Sequence, residues 1–170
     1  MRPRRCEHAT RRAARRSAIM IVMALCATFL NPTLGLSSSR CDIEGTAVSE
    51  RLVGTARGEV ICGRGGDDTI WGFAGEDEIQ GGSGRDRIMG GIGEDLIVGG
   101  EGSDKLRGGP AEDRLVGGAG RDILRGQHGP DFLDGVDGTQ ASEILRGGRG
   151  NDGCAVDSRD ITIGCETVVA

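Results

Sequence analysis

Aliphatic residues recur at every ninth position along most of this chain, with one interruption. They are Leu52, Ile61, Ile70, Ile79, Ile88, Ile97, Leu106, Leu115, Leu124, Leu133 and Leu145, and Cys154 takes the same place in the last unit. Each stands between two more variable residues, as in the triplets RIM, LIV, KLR and RLV. Alternate side chains of a strand point in opposite directions, so each triplet predicts a short strand whose middle residue faces a core.

Glycine and acidic residues repeat with the same period. Units open at Gly45, Gly54, Gly63, Gly72, Gly81, Gly90, Gly99, Gly108, Gly117 and Gly126 and, after three extra residues at 135–137, at Gly138 and Gly147. The sixth position of every unit is acidic: Glu50, Glu59, Asp68, Asp77, Asp86, Asp95, Asp104, Asp113, Asp122, Asp131, Glu143 and Asp152. Because glycine permits the positive φ angles of tight turns, the acidic residues are predicted to lie in turns between the strands.

Stacking of these units predicts a parallel solenoid. Three-residue strands alternate with six-residue glycine-rich turns, and two units complete one coil, so that residues eighteen apart lie above one another. Pro110 and Pro130 are expected in turns, since proline cannot donate a hydrogen bond inside a sheet.

The unit GGSGRDRIM at residues 81–89 resembles the nonapeptide G-G-x-G-x-D-x-U-x of the RTX, or haemolysin-type, calcium-binding repeat family. The resemblance extends over residues 45–155. It implies an all-β fold, a parallel β-roll (β-solenoid) with two repeats per coil, that binds calcium in its turns. The chain as a whole is also similar to the small secreted bacterial calcium-binding proteins of that family.

Residues 1–40 have a different composition. An arginine-rich opening precedes an apolar run from Ala18 to Leu30 and then a stretch of small residues, which predicts a secretory signal peptide. A membrane anchor is the alternative, but a spanning helix needs about 20 apolar residues and this run has 13. We therefore expect a secreted or cell-surface protein without a membrane span after signal removal, exported by either the general secretory or the twin-arginine route.

The rest of the chain is strongly acidic. Of the 21 Lys and Arg and the 26 Asp and Glu of the full sequence, eight and one respectively lie in residues 1–40. The remaining 13 basic and 25 acidic residues give a net charge near −12. This charge argues against a nucleic-acid partner, because phosphate binding needs a basic surface.

The repeated acidic residues predict metal sites. Carboxylates stacked about 5 Å apart between coils repel one another by roughly 3 kcal/mol at an effective dielectric of 20, and a bridging cation reverses that sign. Carboxylate and carbonyl oxygens in adjustable turns favour calcium over magnesium, and zinc lacks its usual ligands because His128 is the only histidine after residue 40. The predicted ligands are Asp68, Asp77, Asp86, Asp95, Asp104, Asp113, Asp122, Asp131 and Asp152.

Carboxylates that share an ion should lie eighteen residues apart. This spacing links Asp68, Asp86, Asp104 and Asp122 along one edge and Asp77, Asp95, Asp113 and Asp131 along the other, which gives about six well-formed sites. Glu50, Glu59 and Glu143 are interpreted as capping or weak-site residues. Ala111 replaces a turn glycine and marks a weak turn, and the insertion leaves the partner of Asp152 open.

Four cysteines follow residue 40, and they allow three connectivities. The local pairing, Cys41 with Cys62 and Cys154 with Cys165, would clip each end of the solenoid in an oxidising environment; buried free thiols are the alternative. We expect an N-terminal cap with a first degenerate repeat at 41–53, the calcium-binding β-roll at 54–155, and a C-terminal cap at 156–170 whose strand covers the open end of the coil.

Signatures of catalysis are weak, and we expect no enzyme. Residues 148–153, GRGNDG, match G-x-G-x-x-G, but no apolar strand precedes them and no helix follows. Two functions compete: a calcium-binding surface, matrix or adhesion module that folds on meeting extracellular calcium, or an accessory or fragment of a secreted RTX-type enzyme or toxin. Signal, repeats and caps account for the whole sequence, which favours the first; its protein or glycan partner stays open.

Overall fold

The computed structural model describes residues 41–138 and 141–170. These residues form fifteen β-strands, and none of them belongs to a helix that could cross a membrane. The expected signal peptide at 1–40 lies outside the described residues.

The strands follow one another at short intervals along the chain. They are β1 (Ile43–Glu44), β2 (Arg51–Val53), β3 (Val60–Cys62), β4 (Thr69–Ala74), β5 (Glu78–Ser83), β6 (Arg87–Ile92), β7 (Leu96–Glu101), β8 (Lys105–Pro110), β9 (Arg114–Ala119), β10 (Ile123–His128), β11 (Phe132–Asp134), β12 (Ile144–Arg149), β13 (Gly153–Ala155), β14 (Ile161–Ile163) and β15 (Thr167–Val169).

Consecutive strands alternate between two parallel sheets. The odd-numbered strands form an eight-stranded sheet, here called the odd sheet, and the even-numbered strands form a seven-stranded sheet, the even sheet. Neighbouring strands pair at an offset of eighteen residues, as in Ile79↔Ile97 and Ile88↔Leu106. The register confirms the predicted parallel β-roll with two repeats per coil.

The aliphatic row fills the space between the two sheets. Its members from Ile61 to Cys154 are at most 2% exposed and form one continuous cluster, against which Leu52 packs partly buried. Burial of an Ile or Leu side chain contributes about 1.5–3 kcal/mol. The row is therefore the main apolar stabilisation of a fold with very few aromatic residues.

Most strands are longer than the predicted three residues. Strands β4 to β10 and β12 each contain six residues, because the opening glycines of a repeat continue the strand. Gly82 pairs with Gly100 across coils, for example. The turns are correspondingly short, such as residues 84–86 between β5 and β6.

Pro110 is consequently the last residue of β8 and not a turn residue, so its predicted position was wrong. Since proline has no N–H to donate, the pairing of β8 with β6 ends at Met89↔Arg107, whereas β4 pairs with β6 as far as Ala74↔Ile92. Pro130 lies in the turn before β11, as predicted.

Both ends of the described region are tied to the roll. The tail adds β14 to the even sheet beside β12 and β15 to the odd sheet beside β13. The sulfur atoms of Cys41 and Cys62 lie 2.06 Å apart and those of Cys154 and Cys165 lie 1.97 Å apart. Both pairs are thus at disulfide distance, in agreement with the local pairing.

Four residues other than glycine adopt a positive φ angle: Arg64 (75°), Phe73 (85°), Ala111 (94°) and Gln127 (94°). Each occupies the second or fourth position of a repeat, where most other repeats have glycine. A residue with a Cβ loses roughly 1–2 kcal/mol in this conformation. The turn that begins at Ala111 therefore carries strain that its neighbours avoid.

We predict that Ala111→Gly stabilises the calcium-loaded protein by about 0.5–1 kcal/mol, because relief of the positive φ exceeds the added freedom of the unfolded chain. Urea unfolding would measure the change. Ala119→Gly is the matched control, since Ala119 is exposed and has a negative φ; it should lose stability slightly. An equal loss in both variants would contradict the prediction.

Candidate metal centres

The nine predicted ligands lie in two columns, one along each edge of the roll. Each of these aspartates is the last residue of a turn and directly precedes a strand. Turns that lead from the odd to the even sheet carry Asp68, Asp86, Asp104 and Asp122, and turns that lead back carry Asp77, Asp95, Asp113, Asp131 and Asp152. All nine side chains are at most 3% exposed. The structure thus brings together the residues that the repeat predicts.

One oxygen of each carboxylate connects two coils. The backbone N–H of Asp86 donates to Oδ1 of Asp104 at 2.8 Å, and the N–H of Asp104 donates to Oδ1 of Asp122 at 2.8 Å. The same bond recurs at all nine aspartates, with distances of 2.8 to 3.0 Å. Hydrogen bonds to a charged acceptor are the stronger kind, at roughly 1.5–3 kcal/mol each. Each Oδ1 therefore fixes the turn of the preceding coil.

The second oxygen of each carboxylate has no partner. Within the described residues, a buried Oδ2 without any hydrogen bond is found at Asp68, Asp77, Asp86, Asp95, Asp104, Asp113, Asp122, Asp131 and Asp152. An unpaired buried acceptor is costly, and an unpaired buried negative charge costs far more. Nine such atoms in two rows form surroundings that a positively charged ligand would stabilise.

Backbone carbonyl oxygens line the same turns. A Cβ added at Gly84, Gly102 or Gly120 would lie 2.1, 1.7 or 1.6 Å from the carbonyl oxygen of the fourth-position glycine one coil earlier. These carbonyl oxygens, of Gly66, Gly84 and Gly102, accept no hydrogen bond from the residues that the structure describes. Glycine at this position leaves a row of carbonyl oxygens uncovered beside the aspartate column.

Burial raises the pKa of eight of the column carboxyls. Desolvation is the largest cause; the N–H donor from the preceding coil opposes it, and neighbouring carboxylates add repulsion. The pKa is raised at Asp68, Asp77 and Asp86, reaches about 6 at Asp95, Asp122 and Asp131, and reaches about 7 at Asp104 and Asp113. Without a cation, the columns hold either protons or mutually repelling charges.

The donor atoms fit a hard cation. Among the described residues, no group of three or more His, Cys, Asp or Glu side chains converges on one point, so an ion here needs carbonyl oxygens in addition to the carboxylates. Calcium accepts such mixed sets of six to eight oxygens in irregular geometry, whereas magnesium requires a near-ideal octahedron. The arrangement can therefore hold calcium between successive turns of each edge.

The insertion does not break the second column. The N–H of Asp131 donates to Oδ1 of Asp152 at 2.9 Å, although the two residues are 21 apart. The extra residues lie in the connection between β11 and β12. Asp152, whose partner the sequence left open, therefore follows Asp131 in the column.

Two tail residues extend the columns, and the sequence analysis missed both. The N–H of Glu143 donates to the Asp160 carboxylate at 3.2 Å, and the N–H of Asp152 donates to the Glu166 carboxylate at 2.6 Å. Both tail acids directly precede a strand, in DITI and ETVV. An acidic residue immediately before a short strand is the signal that identifies them without the nine-residue period.

The three glutamates at sixth positions differ from the aspartates. The carboxylates of Glu50 and Glu59 accept hydrogen bonds from the N–H groups of Thr46 and Thr55, at 2.6 and 2.9 Å, within their own turns. Glu143 is fully buried, and neither of its carboxylate oxygens has a hydrogen-bond partner in the described part of the chain. Burial, and then the adjacent Asp160 carboxyl, raise the pKa of Glu143. Their capping or weak-site roles stay predictions.

Comparison with known proteins identifies the repeat. The family model described as "RTX calcium-binding nonapeptide repeat (4 copies)" matches residues 53–88, 71–106, 80–115, 89–124, 107–139 and 137–152. Together these matches span residues 53–152, more than half of the chain. No curated protein and no solved structure matches the chain. The family match confirms the resemblance drawn from the repeated units.

The raised pKa values predict an inverted pH dependence for the metal-free protein. A carboxyl with a pKa near 7 when folded and near 3.8 when unfolded binds its proton more tightly in the folded state. Its stabilisation is complete below about pH 4 and disappears as the pH rises through about 7. Metal-free protein should therefore show more β-structure by circular dichroism at pH 4 than at pH 7.5.

Calcium-loaded protein provides the control, because protons compete with calcium for the carboxylates. In saturating calcium the β signal should be strong at pH 7.5 and weaken as the pH falls. Metal-free protein with less β-structure at pH 4 than at pH 7.5 would contradict the electrostatics of the columns.

Proposed function

Because the chain belongs to the RTX calcium-binding nonapeptide repeat family, we propose that it is a secreted calcium-binding β-roll that folds as it binds extracellular calcium. The observation that carries the proposal is the pair of aspartate columns, in which nine buried Oδ2 atoms have no hydrogen-bond partner among the described residues. The uncovered carbonyl oxygens of Gly66, Gly84 and Gly102 supply further oxygen donors beside them.

The aspartates couple ion binding to chain ordering through their two oxygens. Oδ1 accepts the N–H of the preceding coil, so it is correctly placed only when that coil is docked. Oδ2 is then available for an ion. Calcium supplies the positive charge that offsets burial and repulsion, and the aspartates hold it only when adjacent coils are stacked.

We assign the ligands to Asp68, Asp77, Asp86, Asp95, Asp104, Asp113, Asp122, Asp131 and Asp152. Successive members of a column share an ion, which gives the six pairs expected from the eighteen-residue spacing. The hydrogen bond between Asp131 and Asp152 supports a seventh pair. Glu50 and Glu59 close the columns on the N-terminal side, and Asp160 and Glu166 close them on the C-terminal side.

The proposal also covers the organisation of the chain. Residues 1–40 serve as the signal peptide, 41–53 as the N-terminal cap with a degenerate repeat, 54–155 as the roll and 156–170 as the C-terminal cap. The two cysteine pairs at disulfide distance support an oxidising destination. The protein acts as a non-catalytic surface, matrix or adhesion module.

Calcium titration of chelator-treated protein, followed by circular dichroism, tests this function. Disorder should give way cooperatively to β-structure at calcium concentrations in the millimolar range or below, the range of extracellular calcium modules. Asp86→Ala combined with Asp104→Ala removes two buried Oδ2 atoms and two inter-coil hydrogen bonds. The calcium midpoint should rise by roughly tenfold or more, because each lost charged hydrogen bond contributes about 1.5–3 kcal/mol.

Glu78→Ala combined with Glu101→Ala is the matched control. Both glutamates are exposed on the odd sheet, so this variant loses the same charge without touching a column. Its calcium midpoint should stay within about twofold of the parent value, as expected for exposed charges. Equal shifts of the calcium midpoint in the two variants would mean that only the total negative charge matters, and they would overturn the ligand assignment.

A further inference from the structure

Charge is segregated between the two sheets. The strands of the even sheet contain no Asp or Glu, and they carry seven basic residues: Arg51, Arg87, Lys105, Arg107, Arg125, Arg146 and Arg149. The strands of the odd sheet carry one basic residue, Arg114, and four acidic ones, Glu44, Glu78, Glu101 and Asp134. One face of the roll is therefore basic and the opposite face acidic.

This segregation runs against the composition of the chain. Residues 41–170 contain 13 basic and 25 acidic residues, and more than half of the basic ones lie on a single sheet. Such a basic field in an acidic molecule attracts polyanions to one face only.

Among the described residues, no basic side chain of the even sheet forms an ion pair, although the charge of Arg87 adds to the hydrogen bonds from Arg85 that lower the pKa of Asp67. The ion pairs among the described residues, Arg64 with Glu44 and Arg85 with Asp67, lie outside this sheet. The Nε–H group of Arg125 is buried and donates to no partner within the described part of the chain. The basic charges of the even sheet are therefore not neutralised by ion pairs among the described residues.

The basic residues line a groove. Side chains at the seventh and ninth positions of alternate repeats form its two walls, and these positions are about 7 Å apart along a strand. The walls include Arg51, Arg87 and Lys105 on one side and Trp71, Met89, Arg107 and Arg125 on the other. The groove has a volume of about 590 Å³. It crosses five neighbouring strands of the even sheet, β2, β4, β6, β8 and β10, which is a length of roughly 19 Å at the usual strand spacing.

Exposed apolar side chains lie on β4 and β6, the second and third of the five strands that the groove crosses. Trp71 is 36% exposed, and its ring centroid lies 5.1 Å from that of Phe73, which is 47% exposed. Met89 is 39% exposed on the next strand. The flat indole of Trp71 lies beside guanidinium groups, so the groove suits a ligand whose rings have apolar faces and carry negatively charged substituents.

We propose that this groove binds a linear anionic polysaccharide. The inference rests on the proposed function, because it needs the calcium-folded roll, and it assigns the partner that the module holds at a surface or in a matrix. Two pairs of neighbouring cations, Arg87 with Lys105 and Arg107 with Arg125, lie about 5 Å apart across strands and face the acidic groups of the polymer. Trp71 packs against a sugar ring.

The shape of the groove disfavours other polyanions. A nucleic-acid duplex is far wider than a groove of about 7 Å, and a bilayer surface cannot enter a concave site. Single-stranded nucleic acid is usually held by aromatic side chains spaced along its path. The groove beyond β4 has no aromatic lining residue, so a polysaccharide is the better fit.

Titration of the calcium-loaded protein with dextran sulfate tests the proposal. Trp71 is the only tryptophan of the chain, so its fluorescence reports on the groove directly. We expect a saturable change with dextran sulfate, weakened by added salt, and none with neutral dextran. Arg87→Gln combined with Lys105→Gln should weaken binding by about tenfold, since two charge-assisted contacts are lost.

Arg57→Gln combined with Arg121→Gln removes the same charge from exposed positions outside the even sheet and should bind within about twofold of the parent. Equal weakening of binding in both variants overturns the proposal. No weakening in either variant also overturns it, because that result would mean that bound calcium, and not the basic groove, holds the polymer. Tighter binding of oligo-dT or of vesicles containing phosphatidylglycerol through Arg87 and Lys105 also overturns it.

Circular dichroism of the same samples separates this proposal from the calcium function. Protein that stays disordered in saturating calcium contradicts the proposed function. Protein that folds in calcium but leaves the Trp71 fluorescence unchanged with dextran sulfate contradicts only the assignment of the groove.

Discussion

Nine turns of this roll each contain a buried aspartate whose two carboxylate oxygens have unequal environments. Oδ1 accepts the backbone N–H of the preceding coil at 2.8 to 3.0 Å, and Oδ2 is buried without a partner. The hydrogen bond is strongest when the carboxylate is charged, yet burial of that charge beside its neighbours opposes stacking. A divalent cation between the turns would resolve the conflict, which is why the proposed function couples calcium binding to folding.

The same requirement explains the glycine columns. Carbonyl oxygens at the turns approach the next coil so closely that a Cβ at Gly84, Gly102 or Gly120 would overlap them. Ala111, which replaces glycine at the same fourth position, adopts a strained positive φ angle, and so does Gln127 at a second position. Close stacking of the backbone, uncovered carbonyls and buried carboxylates are therefore one arrangement, and the aliphatic row alone does not determine it.

The nine-residue period was sufficient to predict the sheets, the core and the aspartate columns. Each rests on a strict local rule, since position eight faces inward and position six ends a turn. Strand length was not predictable in this way, because consecutive glycines are compatible with both a turn and an extended strand. Only pairing between coils, as in Gly82↔Gly100, determines which of the two they form.

Asp160 and Glu166 were missed because their spacing departs from the period. The basic face was missed because adjacent repeats belong to opposite sheets, so Arg87, Lys105 and Arg107 separate from Glu78 and Glu101 only with a period of eighteen.

Hydrogen exchange at the backbone amides of Asp86, Asp104 and Asp113 tests the coupling of ion binding and folding most directly, because each N–H donates to the carboxylate of the next coil. At pH 7.5 in excess EDTA these amides should exchange at the rate of an unfolded chain, and saturating calcium should protect them together. Strong and equal protection in EDTA and in calcium would contradict the account.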